Sequence, residues 1–544
     1  MNHQQLNFLD HAVLIGYFAL ILVVSLYLII KEKKTSTANA SSDYFLGGKN
    51  LSWFVIGASL FASNIGSEHL VGLAGAGAAG DFPAAQFEIL AAFMLLLLGW
   101  LFVPLYLRSG VFTMPQFLER RYGPWARNYL TWVSILGYVI TKIALTITAG
   151  GIIFTTLMGI DFWTGAIIVV VATGVYTIFG GLKVVVYTDM IQMFILLGGS
   201  IALSFYGLDA LGGWSEVEKL TAPNYTSLWR PLSDPDFPWT GILFGAPILG
   251  VWYWCTDQFI VQRVLAARNI DQARKGTIFA AYLKMLPLFI FVVPGLIAYA
   301  LSVQAGSNFS FPLENGEVLY DAALPMLTMQ LLPAGLRGLV VAGLIAALMS
   351  SLSSVFNSCS TLFTIDVYQR LKPETSEKQL VKVGRIATGI LVILGLAWIP
   401  LLDLLEGGLF QKLQSIQSYI SPPIASVFLL GVFSKRITAK GAKYALLSGA
   451  VLGATRLILE LNKTILPTSL SWYVDINFLH FALLLFLICT LVLVVVSISE
   501  SAPNFEKIKS LLYSRNNSEP KQGTNILLSI GLFMVIGVLW IVFS

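Results

Sequence analysis

The chain has 544 residues, of which 56% are hydrophobic and only 12% are charged. Soluble globular proteins are nearer half apolar and a quarter charged, so this chain has too little polar surface to cover a water-soluble globule. The composition excludes a soluble enzyme, a disordered chain and a nucleic-acid-binding protein, while the formal charge of +5 says little by itself. The sequence indicates an all-α polytopic membrane protein.

Apolar runs long enough to cross a bilayer follow one another along the whole chain. A membrane helix needs about 20 apolar residues, and this criterion gives about 14 spans, numbered here in chain order. The first is expected to be a retained span, because no basic residue precedes it and it lacks a small-residue cleavage site. The predicted spans are 9–30, 52–79, 82–107, 128–158, 162–180, 185–211, 239–262, 277–304, 335–364, 383–402, 408–434, 441–459, 477–499 and 524–543.

Lysine and arginine are concentrated in alternate loops between these spans. The loop after span seven, for example, contains Arg263, Arg268, Arg274 and Lys275, whereas the opposite loops carry few basic residues. Because basic loops stay in the cytoplasm, both termini are expected to lie outside it. The expected location is a plasma membrane, such as the inner membrane of a bacterium.

The chain is expected to form a single transmembrane domain. The longest outer loops, 213–239 and 304–333, are mildly acidic and could form a short cap, and the inner linker 500–524 is polar and basic. The sequence contains no nucleotide-binding P-loop, no zinc-protease pair, no nucleophile elbow and no cluster of cysteine and histidine. It therefore predicts a protein that is not an enzyme.

Two spans contain residues that interrupt a membrane helix. Span two has a polar run from Asn64 to His69 in its middle, and a charge at the bilayer centre costs about 3 kcal/mol. Span seven has a weaker counterpart in Gly245, Pro247 and Gly250. Interrupted spans at corresponding positions mark the binding site of a transporter built from inverted repeats. A simple kink in a packed bundle is the alternative, and it is stronger for span seven.

Other polar residues inside the spans allow similar predictions. Glu88 in span three and Lys284 in span eight are expected to face a wet cavity, with a structural ion pair as the alternative. Lys142 in span four has no obvious acidic partner in the sequence. His11 and His480 lie near the outer ends of their spans and are expected to be interfacial rather than ligands.

Span nine has an unusual stripe of hydroxyl groups. Ser350, Ser353 and Ser354 fall on one helical face, and Asp189 at the cytoplasmic side of span six could add a carboxylate. Clustered neutral oxygens suit Na⁺, which needs oxygen ligands but little compensating charge. Small-residue packing between helices explains the serines equally well, and Asp189 could instead pair with a cytoplasmic basic residue.

The sequence resembles the sodium/solute symporter family, and within it the sodium/glucose cotransporters. The similarity runs from about Asp43 to Tyr444 and is dense in several diagnostic runs. These runs are Asp43–Lys49, Gly57–Leu60 with Gly72–Gly75, Thr113–Gly123, Gly181–Gln192, Trp252–Gln258 and Asn357–Tyr368.

The resemblance implies the leucine-transporter fold. Residues 52–211 would form a first five-helix repeat, 239–434 a second, inverted repeat, and 1–51 and 435–544 the flanking helices. The implied function is Na⁺-coupled uptake of a neutral, glucose- or galactose-like sugar by alternating access, with Na⁺ as the coupling ion and two Na⁺ per sugar. The implied surroundings are a lipid bilayer, without nucleic acid.

The resemblance also implies two sodium sites. The first would use the backbone carbonyls of Ala62, Ile65 and Ala347 and the hydroxyls of Ser350 and Ser351. The second, found in relatives that couple two ions, would use Asp189, Ser350, Ser353 and Ser354.

The implied sugar site lies between the broken spans. Its residues would be Asn64, His69, Glu88, Tyr253, Trp254, Lys284 and Gln414. Tyr253 would be the inner gate, and Leu73, Phe87 and Phe410 the outer lid. Gly250 replaces a hydrogen-bonding residue that is common in sugar carriers, so we expect extra room there and leave the particular sugar open.

Two competing functions can be weighed on the same residues. A symporter of the same superfamily could carry another small solute, such as inositol, an N-acetylhexosamine, an amino acid or a carboxylate. A monoanion site would present an unpaired arginine or a free helix N-terminus, and no intramembrane arginine is expected near the break. An intramembrane enzyme is disfavoured because His69 has no nucleophile partner beyond Ser67.

Overall fold

The computed structural model describes residues 6–35, 40–314, 316–398, 409–513 and 522–544. Within these ranges, 11 helices are long and apolar enough to cross a membrane. They are Phe8–Lys31, Phe82–Ser109, Pro124–Met158, Phe162–Leu211, Ile270–Val303, Leu336–Leu371, Glu377–Ala397, Phe410–Phe433, Ala439–Leu461, Phe478–Ile498 and Gly523–Val542. The end of predicted span ten and the first residue of predicted span eleven lie outside the described residues.

Breaks in the helices account for the remaining predicted spans. The helix Phe162–Leu211 is two helices joined at Gly181, which corresponds to predicted spans five and six. Two shorter apolar helices, Trp53–Asn64 and Gly241–Thr256, lie in predicted spans two and seven. Counting these two helices and both halves of Phe162–Leu211 raises the 11 long helices to the 14 predicted crossings.

Gly181 is required at the junction of spans five and six. Its backbone has φ +59° and ψ −166°, which side chains other than glycine rarely adopt. A Cβ atom there would also lie 2.5 Å from the carbonyl oxygen of Tyr44. This backbone conformation and the close approach of Tyr44 explain how span five can turn into span six without an intervening loop.

Short helices and one hairpin connect the spans. The strands Leu313–Glu314 and Glu317–Val318 pair antiparallel in the second long outer loop. The connecting α-helices are Ala40–Leu46, Met114–Tyr122, Trp214–Leu220, Ala323–Leu331, Thr468–Asp475 and Phe505–Ile508. Both long outer loops therefore contain helices, in line with the expected cap.

Span nine is the core of the bundle. Within its most apolar 18-residue window, 94% of the residues are buried, which is the largest share among the described spans. The carboxylate of Asp10, on the first helix, accepts hydrogen bonds from the backbone N–H groups of Gly335 (2.7 Å) and Gly338 (2.9 Å). A carboxylate at these N–H groups satisfies donors that a helix start leaves unpaired. The first helix therefore fixes the outer end of span nine.

Several arginines between the predicted spans are buried. The exposed fractions are 5% for Arg121, 0% for Arg263 and 1% for Arg274. Burial does not place these residues inside a span: Arg121 lies on the connecting helix Met114–Tyr122, and Arg263 lies on Gln258–Leu265, which extends beyond predicted span seven. Arg121 donates to the carbonyls of Gly431, Ser434 and Ile437 and so caps the end of span eleven.

Carboxylates gather at the outer end of span two. Burial, together with the neighbouring carboxylates of Asp236 and Asp234, raises the pKa of Asp81 to about 6. Burial also raises the pKa of Asp236, which accepts a hydrogen bond from Gln411 at 2.7 Å. Because the raised pKa of Asp81 is near 6, this region loses negative charge as the outer pH falls through that value.

Candidate functional site

The break in span two exposes two backbone carbonyl groups. The helix Trp53–Asn64 ends at Ile65, which has φ −78° and ψ 82°, and a second helix begins at Ser67. In a continuous helix the Gly66 N–H would bond the Ala62 carbonyl, but it donates to the Asn64 carbonyl at 3.0 Å. The His69 N–H likewise donates to Gly66 at 3.0 Å rather than to Ile65. The carbonyls of Ala62 and Ile65 are therefore available to a ligand.

Span nine packs its serines against this break. The hydroxyl of Ser351 donates to the carbonyl of Ser63 at 3.1 Å. A Cβ atom on Gly66 would lie 2.5 Å from the Ser351 Oγ atom, so a side chain at Gly66 would keep the two spans apart. Ala347 lies one helical turn before Ser351 and is 2% exposed. Of the five residues predicted for the first sodium site, Ala62 and Ile65 lie at the break, and Ser351 of span nine contacts it directly.

The residues predicted for the second sodium site also lie together. The carboxylate of Asp189 accepts hydrogen bonds from Ser350 at 2.5 Å and from Ser59 at 2.6 Å. The Ser353 hydroxyl donates to the Ser350 carbonyl at 3.0 Å. Asp189 and Ser350 are fully buried, so these oxygens form a polar group inside the bundle.

Arg263 reaches the same group of oxygens from span seven. Its Nη2 atom lies 3.4 Å from the Asp189 carboxylate and also donates to the Ser354 hydroxyl. Its Nε atom donates to Ser59 at 2.8 Å. This contact matches the alternative in which Asp189 pairs with a basic residue from the cytoplasmic side.

A cavity of about 40 Å³, counted as the space open to the centre of a water molecule, lies between the two broken spans. It contains six of the seven predicted sugar-site residues, and Lys284 is the one that does not line it. Gly250, Met94 and Gln417 are also in its wall. The six predicted residues are Asn64, His69, Glu88, Tyr253, Trp254 and Gln414.

Lys284 supports this cavity from behind. Its ammonium group donates to the Glu88 carboxylate and to the Asn64 side-chain carbonyl, and it lies 5.2 Å from the centre of the Trp254 ring. Asn64 in turn donates to the Tyr253 hydroxyl at 2.9 Å. Glu88 and Lys284 thus form the ion pair that the sequence left as an alternative, and Glu88 also faces the cavity. The pair leaves the wall polar but without net charge.

Aromatic rings close the outer side of the cavity. The ring centres of Phe87 and Phe410 are 5.5 Å apart, and that of His69 is 6.0 Å from Phe410. Phe410 is 2% exposed and Leu73 is fully buried. Phe237, from the outer loop, packs edge-on against Phe87 at 6.3 Å. Of the predicted lid residues, Phe87 lines the cavity and Phe410 packs against both Phe87 and His69.

Tyr253 separates this cavity from a second one. The second cavity is smaller, about 10 Å³ by the same measure, and is lined by Tyr138, Lys142, Asp257 and other residues. Tyr253 and Gln417 line both cavities. Tyr253 lies on the helical segment Val251–Thr256, just before the chain becomes extended at Asp257. Tyr253 therefore lies between the two cavities.

Lys142 has a partner that the sequence did not reveal. Its ammonium lies 3.3 Å from the Glu68 carboxylate, which also accepts a hydrogen bond from Thr146 at 2.8 Å. The ammonium lies 5.0 Å from the centre of the Tyr253 ring. Glu68 belongs to the polar run of span two, so its charge was the signal that could have identified the pair.

Sequence reasoning also missed Gln417 and Met94. Gln417 follows Gln414 by three residues, and that helical spacing puts both amides on one face. Met94 packs over Gly250, because a Cβ atom on Gly250 would lie 2.7 Å from the Met94 Cγ atom. The expectation of extra room at Gly250 was therefore wrong in part, since a thioether side chain occupies the space. His11 and His480 bond Asn7 and Thr240 at 2.7 Å each, outside the cavity.

Comparison with known proteins identifies the class to which this fold and cavity belong. The model of the sodium:solute symporter family matches residues 44–449. The chain belongs to this family, so it is a Na⁺-coupled solute symporter of a membrane and not an enzyme.

Individual relatives are similar over nearly the whole chain. Mouse sodium/glucose cotransporter 4 is 40% identical over 540 residues, which cover 93% of this chain and 78% of that protein. The dog sodium/myo-inositol cotransporter is 37% identical over 542 residues, covering 93% and 75%. The solved structure of a substrate-bound, outward-open Na⁺-coupled sialic acid symporter has a TM-score of 0.77 at 23% identity, covering 92% and 99%. This last similarity supports the leucine-transporter-like fold.

Replacing Gly250 tests how Met94 shapes the cavity. Gly250→Asn alone is expected to weaken binding of the transported solute, because overpacking costs about 1–3 kcal/mol. Gly250→Asn combined with Met94→Ala gives the new amide room and should shift preference toward a smaller or less substituted ligand. Competition uptake with a panel of hexoses measures both effects, with Met94→Ala as control. An unchanged competition profile in the Gly250→Asn variant would contradict the close contact between Gly250 and Met94.

Proposed function

We propose that this symporter takes up a neutral hexose-type sugar together with Na⁺ by alternating access. The observation that carries the proposal is the cavity between spans two and seven, which is polar, without net charge and bounded by aromatic rings. Glu88 accepts hydrogen bonds from hydroxyl groups, while Asn64 and Gln414 both donate and accept. Tyr253 and Trp254 suit the apolar face of a pyranose ring.

The charge of the cavity disfavours the alternative substrates with a carboxylate. Lys284 is the nearest candidate to bind an anion, but its ammonium is already engaged by Glu88 and Asn64. A cyclic polyol such as inositol presents the same hydroxyl chemistry as a hexose and remains the second candidate. The existence of inositol cotransporters among the relatives favours retaining it.

The first sodium ion would bind where span two meets span nine. The ligands proposed are the carbonyls of Ala62, Ile65 and Ala347 and the hydroxyls of Ser350 and Ser351. An ion at this position joins the broken span, which lines the sugar cavity, to the core span. Ion and sugar would then favour the same arrangement of these spans, and a shared preference for one state is what couples two ligands.

The architecture would allow this movement. We propose that residues 52–211 and 239–434 are the two inverted repeats, since the broken span is the first of each. Phe87, Phe410 and Leu73 would open as the outer lid and Tyr253 as the inner gate. The protein would lie in a plasma membrane with both termini outside the cytoplasm.

Transport by the purified protein in vesicles tests the substrate class. An inward Na⁺ gradient should drive electrogenic uptake of labelled glucose or galactose, and unlabelled hexoses should compete. A parallel assay with myo-inositol decides between the two candidates. Uptake driven by a proton gradient alone, with no effect of Na⁺, would refute the proposed coupling.

Separate substitutions should divide sugar binding from Na⁺ binding. Gln414→Ala removes a neutral hydrogen bond worth about 0.5–1.5 kcal/mol and should raise the half-saturating sugar concentration about 2- to 10-fold. Ser351→Ala removes an oxygen ligand of a cation and should raise the half-saturating Na⁺ concentration about tenfold or more.

Ser360→Ala is a matched control, because this buried hydroxyl of the same span only bonds the Asn357 carbonyl at 3.1 Å. Equal loss of sugar and Na⁺ binding in both test variants, with lowered thermal stability, would indicate misfolding instead.

We propose two Na⁺ per sugar, with the second ion at Asp189, Ser350, Ser353 and Ser354. Each ion gains about 2.3 kcal/mol per 100 mV and about 1.4 kcal/mol per tenfold gradient, so the second raises the accumulation limit by more than a hundredfold. The reversal potential of the sugar-coupled current, measured against imposed Na⁺ and sugar gradients, should correspond to two Na⁺ ions per sugar molecule. A reversal potential that corresponds to one Na⁺ ion per sugar would rule out the second ion, and it would not affect the proposal for the first sodium site.

A further inference from the structure

Arg263 occupies the group of oxygens proposed for the second sodium ion. Its guanidinium contacts Asp189 and Ser354, which are two of the four proposed ligands, and also Ser59, which itself donates to Asp189. Arg263 and Asp189 are both fully buried. A monovalent cation of the protein itself therefore sits beside the only carboxylate in the proposed ligand set.

The buried charges allow one cation at a time. Asp189 carries one negative charge and Arg263 one positive charge, so the pair is neutral. Adding Na⁺ while Arg263 stays in place would leave a net positive charge in a water-excluded position, which is costly. Sodium binding at Asp189 and the present position of Arg263 should therefore exclude each other.

The geometry of the pair indicates that Arg263 can be displaced. Charge-assisted bonds between a guanidinium and a carboxylate are usually about 2.7–2.9 Å and often bidentate. The Asp189 contact is a single one of 3.4 Å, longer than the bonds of 2.5 and 2.6 Å that the carboxylate accepts from Ser350 and Ser59. Arg263 lies in the last turn of its helix, Gln258–Leu265, where its Nη1 atom also donates to the Phe259 carbonyl, so withdrawal would exchange these bonds for others nearer the helix end.

We propose that Arg263 is a tethered cation that competes with Na⁺ for Asp189 and so sets the affinity of the second sodium site. The inference rests on the proposed second ion, but it concerns the competition and not the transported sugar. Because Arg263 and the inner gate Tyr253 belong to the same broken span, withdrawal of the guanidinium would accompany movement of the gate segment.

The test measures equilibrium binding of radiolabelled Na⁺ to purified protein without sugar. Arg263→Gln keeps hydrogen-bonding groups but removes the competing charge, and it should lower the Na⁺ concentration for half-saturation of the Asp189 site at least tenfold. Asp189→Asn in the same background should abolish this gain. Arg274→Gln, which changes another buried arginine bonded to the Gly99 carbonyl at 3.1 Å, should leave Na⁺ binding unchanged.

A chemical competitor provides a second measurement for the case in which Arg263→Gln folds poorly. Arg263→Ala leaves space for a guanidinium, so free methylguanidinium should compete with Na⁺ in this variant and have little effect on the parent protein. Stronger Na⁺ binding that depends on Asp189, or competition by methylguanidinium confined to Arg263→Ala, supports the proposal.

Unchanged or weaker Na⁺ binding in folded Arg263→Gln, together with no methylguanidinium effect, overturns it. These outcomes can be distinguished from failure of the proposed sugar uptake, because Na⁺ binding is measured here without sugar. A parent protein whose reversal potential corresponds to one Na⁺ ion per sugar could still gain Na⁺ binding when Arg263 is replaced.

Discussion

The requirement that backbone groups be satisfied inside a membrane governs the centre of this molecule. The break at Ile65 and Gly66 leaves carbonyls that lipid cannot bond, so the break must be enclosed by protein or by a ligand. Span nine encloses it through Ser351, and its own burial follows from that position. The cavity between spans two and seven exists because the same break turns the polar residues Asn64 and His69 inward.

Three buried ion pairs lie near the broken spans, each at a different position in the bundle. Glu88 with Lys284 lies behind the cavity, Glu68 with Lys142 lies beside Tyr253, and Asp189 with Arg263 lies at the serines of span nine. Removing one partner of such a pair leaves a buried charge, which costs several kcal/mol. The bundle can therefore be polar at its centre while the wall of the cavity remains neutral toward an uncharged solute.

The sequence predicted the features that depend on local composition. The 14 crossings and the break in span two follow from runs of apolar and polar residues, and six of the seven residues that the family resemblance implied line one cavity. Contacts between distant segments were not predictable in this way. Glu68 meets Lys142, and Met94 covers Gly250, only after the helices have packed. The burial of Arg263 was not predictable either, because it follows from contacts with Ser59 and Ser354 on other helices.

The cap that Asp10 provides for span nine has a practical consequence. The first helix is a flanking element, yet its carboxylate holds the outer end of the helix that carries Ser350 and Ser351. Shortening the chain into this helix, or fusing a bulky reporter directly to it, would disturb the sodium ligands through about four helical turns of a rigid rod. Fluorescent or affinity labels therefore belong on other segments, such as the exposed loop around Lys372, rather than next to Asp10.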